Sequence, residues 1–213
     1  MAQIAIIENI ERKGRLALLT IPGMAGILLD KDTLKKHSIQ IRTEIRLETL
    51  KEIVLESDCK RAKDYVIYLL SRQGYSYGLL KEKMQKKGYQ SKAIDTILAE
   101  FQRLGLIDDA QFARQAVESL LHHKPAGRSY LIAYLQAKHI PRQLANSVVD
   151  ELLRHSDEAE MAVRLLRGRW RYLAKFELET ARRKAYNYLS RRSIGYGPAK
   201  LAFKKLLKEE CQD

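Results

Sequence analysis

The chain has 213 residues, enough for one large domain or several small ones with a buried core. Charged residues make up 31% and aromatics 8%, a soluble, helix-leaning composition, and 39 basic against 26 acidic side chains leave a formal charge of +13. Cys59 and Cys211 are the only cysteines and form no CxxC pair, so neither a disulfide framework nor a zinc site is implied. "MAQIAIIENIERKG" places glutamates where a signal peptide needs an apolar run, and nothing approaches a membrane-spanning length, which makes the cytoplasm the expected location.

A balance this basic points to a polyanion partner: nucleic acid, an anionic membrane surface or an acidic protein. The charge is unevenly spread. Residues 1–59 hold 9 basic and 9 acidic side chains, residues 60–108 hold 10 and 5, residues 109–157 hold 6 and 5, and residues 158–213 hold 14 and 7. A polyanion footprint should therefore lie on 60–108 and 158–213.

Along the chain, "IAIIENIE" and "RLALLTI" are short apolar runs separated by "RKG". Gly14 supplies a turn between them, which predicts a small hairpin. "IPGMAG" breaks the pattern, and "DKDTLKKH" reads as a short helix capped by Asp30 or Asp32. From about Leu47 the period becomes helical. Ala62, Tyr65, Val66, Leu69 and Leu70 share a face, and Gly74 ends that helix. A second helix runs through Leu80 and Met84 to Gly88. A third puts Ile94, Ile97, Leu98, Phe101 and Leu104 on one face and closes at Gly105.

This three-helix unit recurs. "YLIAYLQAKHI" (130–140) aligns with "LLKEKMQKKGY" (79–89), with Leu131 on Leu80, Leu135 on Met84 and His139-Ile140 on Gly88-Tyr89. "KAYNYLSRRSI" (184–194) aligns again, with Leu189 at the Leu135 position and Ile194 at Ile140. Identities are few but the apolar phase is kept. Units too small to bury a core alone stack into arrays. The expectation is a mainly α protein: a strand-containing segment over 1–46, then three tandem three-helix repeats over 47–108 (with a lead-in helix), 109–157 and 158–213, in an elongated curved array. Gly127, Pro141 and the "GYGP" at 195–198 fall at helix joints, and Pro198 suits the first turn of the last helix.

The stretch "GLIDDAQFA" (105–113) puts two adjacent carboxylates in a basic chain. Its spacing reads as a helix joint. Gly105 terminates one helix, Asp108 caps the next, and Gln111 three residues on completes a capping-box pattern. Ile107 and Phe112 have the spacing of a hydrophobic staple, and Asp109 meets the positive end of the helix. No convergent partner is nearby in sequence that would turn Asp108 and Asp109 to acid–base or metal chemistry. His122-His123 point about 100° apart on a helix and suit its C-terminal end better than a shared metal. "GYGPAK" (195–200) lacks the spacing of a phosphate loop, and neither cysteine has an activating base, so no enzyme site is read.

Basic side chains cluster instead. Lys81, Lys83, Lys86 and Lys87 crowd the second helix of the first repeat. Arg182, Arg183, Lys184, Arg191 and Arg192 crowd the corresponding helix of the third, with Arg128 and Lys138 between them in sequence. In the third repeat Ala181, Ala185, Tyr188 and Leu189 read as the buried face, and Lys184, Asn187 and Arg191 as a flanking stripe. Lys200, Lys204 and Lys208 repeat at i, i+4 and i+8 on the last helix. Such stripes match phosphates, although any one of them alone matches an ordinary solvated face. "RGRWRYLAKF" (167–176) interleaves arginines with Trp170 and Tyr172; Trp170 fits either a stack on unpaired bases or the core.

The repeat length, "KKGY", "LGLIDDAQFA" and "AGRSYLIAYLQAKHI" together resemble the RecX family, over about residues 62–155 and more weakly to about 207. The resemblance implies tandem three-helix repeats and a non-enzymatic regulator of the RecA recombinase. Such a regulator lies in the groove of the RecA–DNA filament and modulates, usually by inhibiting, its ATPase, strand-exchange and coprotease activities. It implies as partners RecA and single- or double-stranded DNA, no membrane, a monomer, and no cofactor. A stand-alone helix-turn-helix transcriptional regulator is the alternative reading.

Overall fold

The computed structural model describes residues 3–154 and 156–210 and divides into two compact units, 1–107 and 108–213. Cys211 lies outside the described residues. The chain is mainly helical with a small strand-containing N-terminal segment. Among the described residues no helix is long and apolar enough to cross a membrane.

The first unit opens with β1 (Ile4–Ile6), β2 (Asn9–Lys13), β3 (Leu16–Thr20) and β4 (Ile27–Asp30), followed by α1 (Lys31–Lys36) and β5 (Glu44–Arg46). The sequence predicts one hairpin here, and the structure builds more. "IAIIENIE" splits into two strands that belong to different sheets: β1 pairs antiparallel with β5, while β2, β3 and β4 form a three-stranded antiparallel sheet. Lys13 faces Leu16 across a two-residue loop in which Gly14 takes a φ of +59°, a conformation that side chains resist. Residues of alternate parity on β3, Ala17 and Leu19, point inward and meet Ile7, Leu29 and Leu34 in a first core.

Asp30 pins this segment. It is buried, caps α1 by accepting the Asp32 and Thr33 amides at 3.1 Å, and takes Lys60 Nζ at 2.9 Å, while its own N–H donates to the Ser57 hydroxyl at 2.8 Å. Burial alone would raise its pKa. The bonds from Thr33, Lys60 and Ser57 outweigh burial and hold the carboxyl well below the usual range.

Helix α2 (Leu47–Leu70) serves two cores. Leu50 and Ile53 cover the sheets, whereas Ala62, Val66 and Leu69 pack on α3 (Tyr77–Lys86) and α4 (Ser91–Arg103). The lead-in helix and the first helix of the first predicted repeat are thus one continuous rod. Leu104 departs from expectation. It is the residue after α4 and is 54% exposed, because the chain has already left the helical path there.

The second unit holds two more helical cores. One is formed by α5 (Asp109–His123), α6 (Arg128–Gln136) and α7 (Arg142–Leu153); the other by α8 (Glu158–Arg167), α9 (Trp170–Leu173), α10 (Leu178–Ser190) and α11 (Tyr196–Glu210). The short α9 is an element absent from the other two cores and from the sequence reading.

In all three helical cores the middle helix ends in the same way. Gly88, His139 and Ser193 take φ of +80°, +59° and +57°. The next residue's N–H then reaches back to a buried residue of the helix: Tyr89 to Met84 O (3.3 Å), Ile140 to Leu135 O (3.1 Å) and Ile194 to Leu189 O (3.1 Å). This is a Schellman ending, and it turns Tyr89, Ile140 and Ile194 inward. The following helix starts three residues after each left-handed residue.

In the second unit the last of these turns touches Gly127. The Gly127 N–H donates to Arg192 O at 2.7 Å, and a Cβ there would lie 2.0 Å from Ser193 O. We expect Gly127→Ala to lower stability by about 1 to 3 kcal/mol through forced overpacking against backbone. Ser193→Gly, which relieves a left-handed serine, should instead raise Tm by about 2–4 °C. Thermal melts followed by circular dichroism read both.

Candidate nucleic-acid interface

The joint at 105–113 is structural in its geometry. Gly105 has φ +70°, and the Leu106 N–H closes on Phe101 O at 2.9 Å. Asp108 is the N-cap of α5: its Oδ1 accepts from the Ala110 and Gln111 amides at 2.8 and 2.9 Å. Asp109 stands in the first turn, where the helix end favours negative charge. Ile107 is buried in the core of α2–α4, and Phe112 packs, half-buried, on the core of α5–α7. His122 and His123 occupy the last turn of α5, exposed, with their rings edge to face at 4.9 Å. At "GYGPAK" the Gly195 N–H is taken by Glu158 Oε1 at 3.2 Å, so a carboxylate stands where a phosphate loop would bind its anion.

Several of the basic residues are held by a local carboxylate. Lys81 is bonded to Asp95 at 2.9 Å, which raises its pKa; Lys86 is paired with Glu82 one turn back. Arg128 grips Asp150 with two bonds of 2.6 and 3.0 Å, and Arg182 meets Glu179 at 2.5 Å. A neighbouring carboxylate competes with a phosphate for each of these four. Others lie over aromatic rings: Lys83 over Tyr75 (5.5 Å), Lys87 over Tyr65 (5.6 Å), Lys138 over Tyr134 (5.7 Å) and Arg192 over Tyr130 (5.2 Å). Arg192 also donates to Lys124 O, which ties it to the joint between α5 and α6. Arg183, Arg191, Lys200 and Lys204 are exposed, and among the described residues no carboxylate pairs with them.

One group converges. The predicted stripe Lys184, Asn187, Arg191 forms one wall of a cleft of about 290 Å³, and Arg169, Tyr172 and Leu173, from α9 and the turn before it, form part of the rest. Tyr188, expected on the buried face of α10, is only half-buried and lines this cleft with the Arg169 guanidinium 4.3 Å from its ring centre. Lys184 Nζ lies 4.4 Å from the Phe176 ring. Three cations and two tyrosines thus share a cleft whose lining contains no carboxylate. Arg169 was missed from the sequence; its only signal is its place in "RGRWRY". Trp170 resolves toward the core. Its ring meets Phe203 edge to face at 5.4 Å, and its Nε1–H donates to Glu210 at 3.0 Å, so it packs, half-buried, on the core of α8–α11.

The fold and these faces define a basic, mainly helical protein with a strand-containing N-terminal segment. No family model matches the chain. It is 30% identical over 158 residues to Regulatory protein RecX of Amycolatopsis mediterranei, spanning 74% of this chain and 90% of that relative. It is 25% identical to Regulatory protein RecX of Pelodictyon phaeoclathratiforme, again over 74% of this chain and 96% of the relative. Two crystal structures share the fold at 17% identity. One, of regulatory protein RecX, has a TM-score of 0.62 and covers 93% of this chain and 98% of that one. The other, of RecX from Lactobacillus salivarius, has a TM-score of 0.59 and covers 70% and 96%. The chain belongs to the RecX family of regulatory proteins.

Asp108→Ala should lower stability by about 1 kcal/mol, the usual worth of an N-cap bond. Unchanged melting in urea would show that the cap contributes nothing.

Proposed function

We propose that this protein regulates the RecA recombinase by binding the RecA–DNA filament, and that it inhibits ATP hydrolysis, strand exchange and coprotease activity. The observation that carries the reading is membership of the RecX family. Two features of the molecule support it. The carboxylate-free cations Lys184 and Arg191, with Arg183 beside them, suit phosphate contacts, whose worth is sequence-independent and salt-dependent. The shared ending of α3, α6 and α10 supports a chain of three tandem three-helix repeats, residues 47–108, 109–157 and 158–213, after an N-terminal segment of 1–46. Repeats of this kind present long surfaces to long partners. The protein acts as a monomer, without metal or cofactor, by occupying the filament rather than by chemistry of its own.

The test is a titration of RecA ATPase on single-stranded DNA with the purified chain. Progressive slowing is expected; an unchanged rate and unchanged strand exchange at several-fold excess would remove the proposal. Reversing charge at Arg183, Lys184 and Arg191 together should weaken filament binding and reduce the slope of log K against log salt by about 2, at roughly 0.7 per phosphate released. Neutralising Lys81 or Arg128, each already held by a carboxylate, should change that slope less than neutralising Arg191.

A further inference from the structure

The cleft of Arg169, Lys184 and Arg191 has a neighbour. On the other side of α10 a second cleft, of about 510 Å³, is lined by Glu179, Thr180, Arg182, Arg183, Tyr186, Asn187 and Tyr196. Asn187 lines both. Glu179 is the single carboxylate of the pair of clefts, and it is already bonded to Arg182.

Cations alone are explained by a solvated helix face. The tyrosines are not. Three tyrosines stand out as exposed large side chains among the described residues: Tyr68, Tyr172 and Tyr196. Tyr68 stands near the end of α2, away from both clefts, with the Arg72 guanidinium 5.4 Å from its ring centre and bonded to its hydroxyl. The other two flank α10, one in each cleft. Tyr196 is 68% exposed, and its ring is held edge-on to Tyr186 at 5.3 Å. Tyr172 is 50% exposed, and its ring is held against Phe176 at 5.1 Å. In the first cleft the Arg169 guanidinium lies 4.3 Å from the centre of the Tyr188 ring, on the same lining as Tyr172.

Exposed rings, each steadied by a neighbouring ring and set beside cations (Lys184 Nζ lies 5.9 Å from the Tyr172 ring centre), are the parts needed to hold unpaired nucleotides: positive charge follows the backbone and aromatic rings take the bases. A duplex offers its phosphates but keeps its bases stacked inside, so it cannot use the rings. From Arg183 to Arg191 the track covers about 12 Å of helix, at 1.5 Å per residue, which limits it to a few nucleotides.

We infer that α10 and the tyrosines flanking it form a binding track for unpaired polynucleotide, with phosphates on Arg169, Lys184 and Arg191, bases on Tyr172 and Tyr196, and the Asn187 amide between the two clefts. The inference rests on the reading of a polynucleotide partner above and adds the strand state and the stacking residues. It is independent of the recombinase, because the track belongs to this chain alone.

The test uses the full chain without RecA. Binding of a labelled oligothymidine is followed by fluorescence anisotropy against a duplex of the same length and against polyphosphate, a polyanion with no bases. The single strand should bind about tenfold or more tighter than the duplex, and polyphosphate should compete poorly at equal phosphate. Tyr172→Leu and Tyr196→Leu should each weaken single-strand binding about fivefold or more at unchanged salt slope, as expected for a lost stack. Arg191→Gln should lower the slope by about 0.7. Both tyrosines are exposed, and circular dichroism checks the fold; if Tyr196→Leu disturbs the start of α11, Tyr172→Leu carries the test. Equal affinity for duplex or polyphosphate, or tyrosine variants that bind as tightly as the parent, would overturn the track. A chain that slows RecA ATPase yet shows no strand preference would retain the regulatory reading and lose this one.

Discussion

The helical part of this molecule depends on one backbone event made three times: a residue in the left-handed region just after the middle helix of each core. The event sends the following N–H back to a carbonyl five residues earlier, turns an apolar side chain inward, and starts the next helix three residues on. Without it Tyr89, Ile140 and Ile194 would not reach their cores, and each third helix would leave at a different angle. Only the first uses glycine. His139 and Ser193 accept a conformation that costs a side-chain-bearing residue about 1 kcal/mol or more, which packing of the residue that follows must offset. In the second unit that turn also touches Gly127, so the two helical cores there share a hydrogen bond and a close backbone approach. Arg164 adds a bond to His122 O, and Leu121 and Leu153 pack on both cores.

Charge follows a different logic from fold. Lysines and arginines count toward a polyanion site only where no carboxylate answers them. Around α3 the answer is local, from Asp95 and Glu82, and around α6 it comes from Asp150. On the face shared by α9 and α10 there is none, and the neighbouring cleft holds Glu179, which is bonded to Arg182. Net charge by segment ranks the first and third basic clusters as similar. The side-chain geometry separates them.

Much of this was legible in the sequence, and the limits have physical causes. Helix phase was legible because buried positions recur at 3.6 residues, and Gly88 and Gly105 mark turns that favour glycine. The left-handed His139 and Ser193 were not, since neither residue type announces that conformation; only the apolar phase of Leu135–Ile140 and Leu189–Ile194 did. Leu104 kept the helical period and is exposed all the same, because period continues in sequence after the chain has left the helix. "IAIIENIE" reads as one run, but Ile7 bonds to both Arg42 and Thr43, long-range partners no local pattern reveals, and these split the run between two sheets. The Asp108 joint was legible because a cap and its amides are neighbours in sequence. The pairing of Arg128 with Asp150, 22 residues away, was not.

The third helical core breaks the pattern of the other two, and the break makes its cleft. Between α8 and α10 the chain inserts α9, anchored by Trp170 on Phe203 and Glu210, while Arg167 at the end of α8 bonds Glu209. With Trp170 packed on Phe203 and Leu173 buried in the core, Arg169 and Tyr172 line the cleft against α10. An uninterrupted first helix, such as α5, has no short segment to place there. The interleaving of arginine with aromatic residues in "RGRWRYLAKF" therefore sorts itself by function: Trp170 anchors the insertion, and its neighbours Arg169 and Tyr172 line a carboxylate-free cleft opposite Lys184 and Arg191. A segment that weakens the internal sequence similarity is also the one that concentrates unpaired positive charge and exposed rings, because both follow from the same inserted turn.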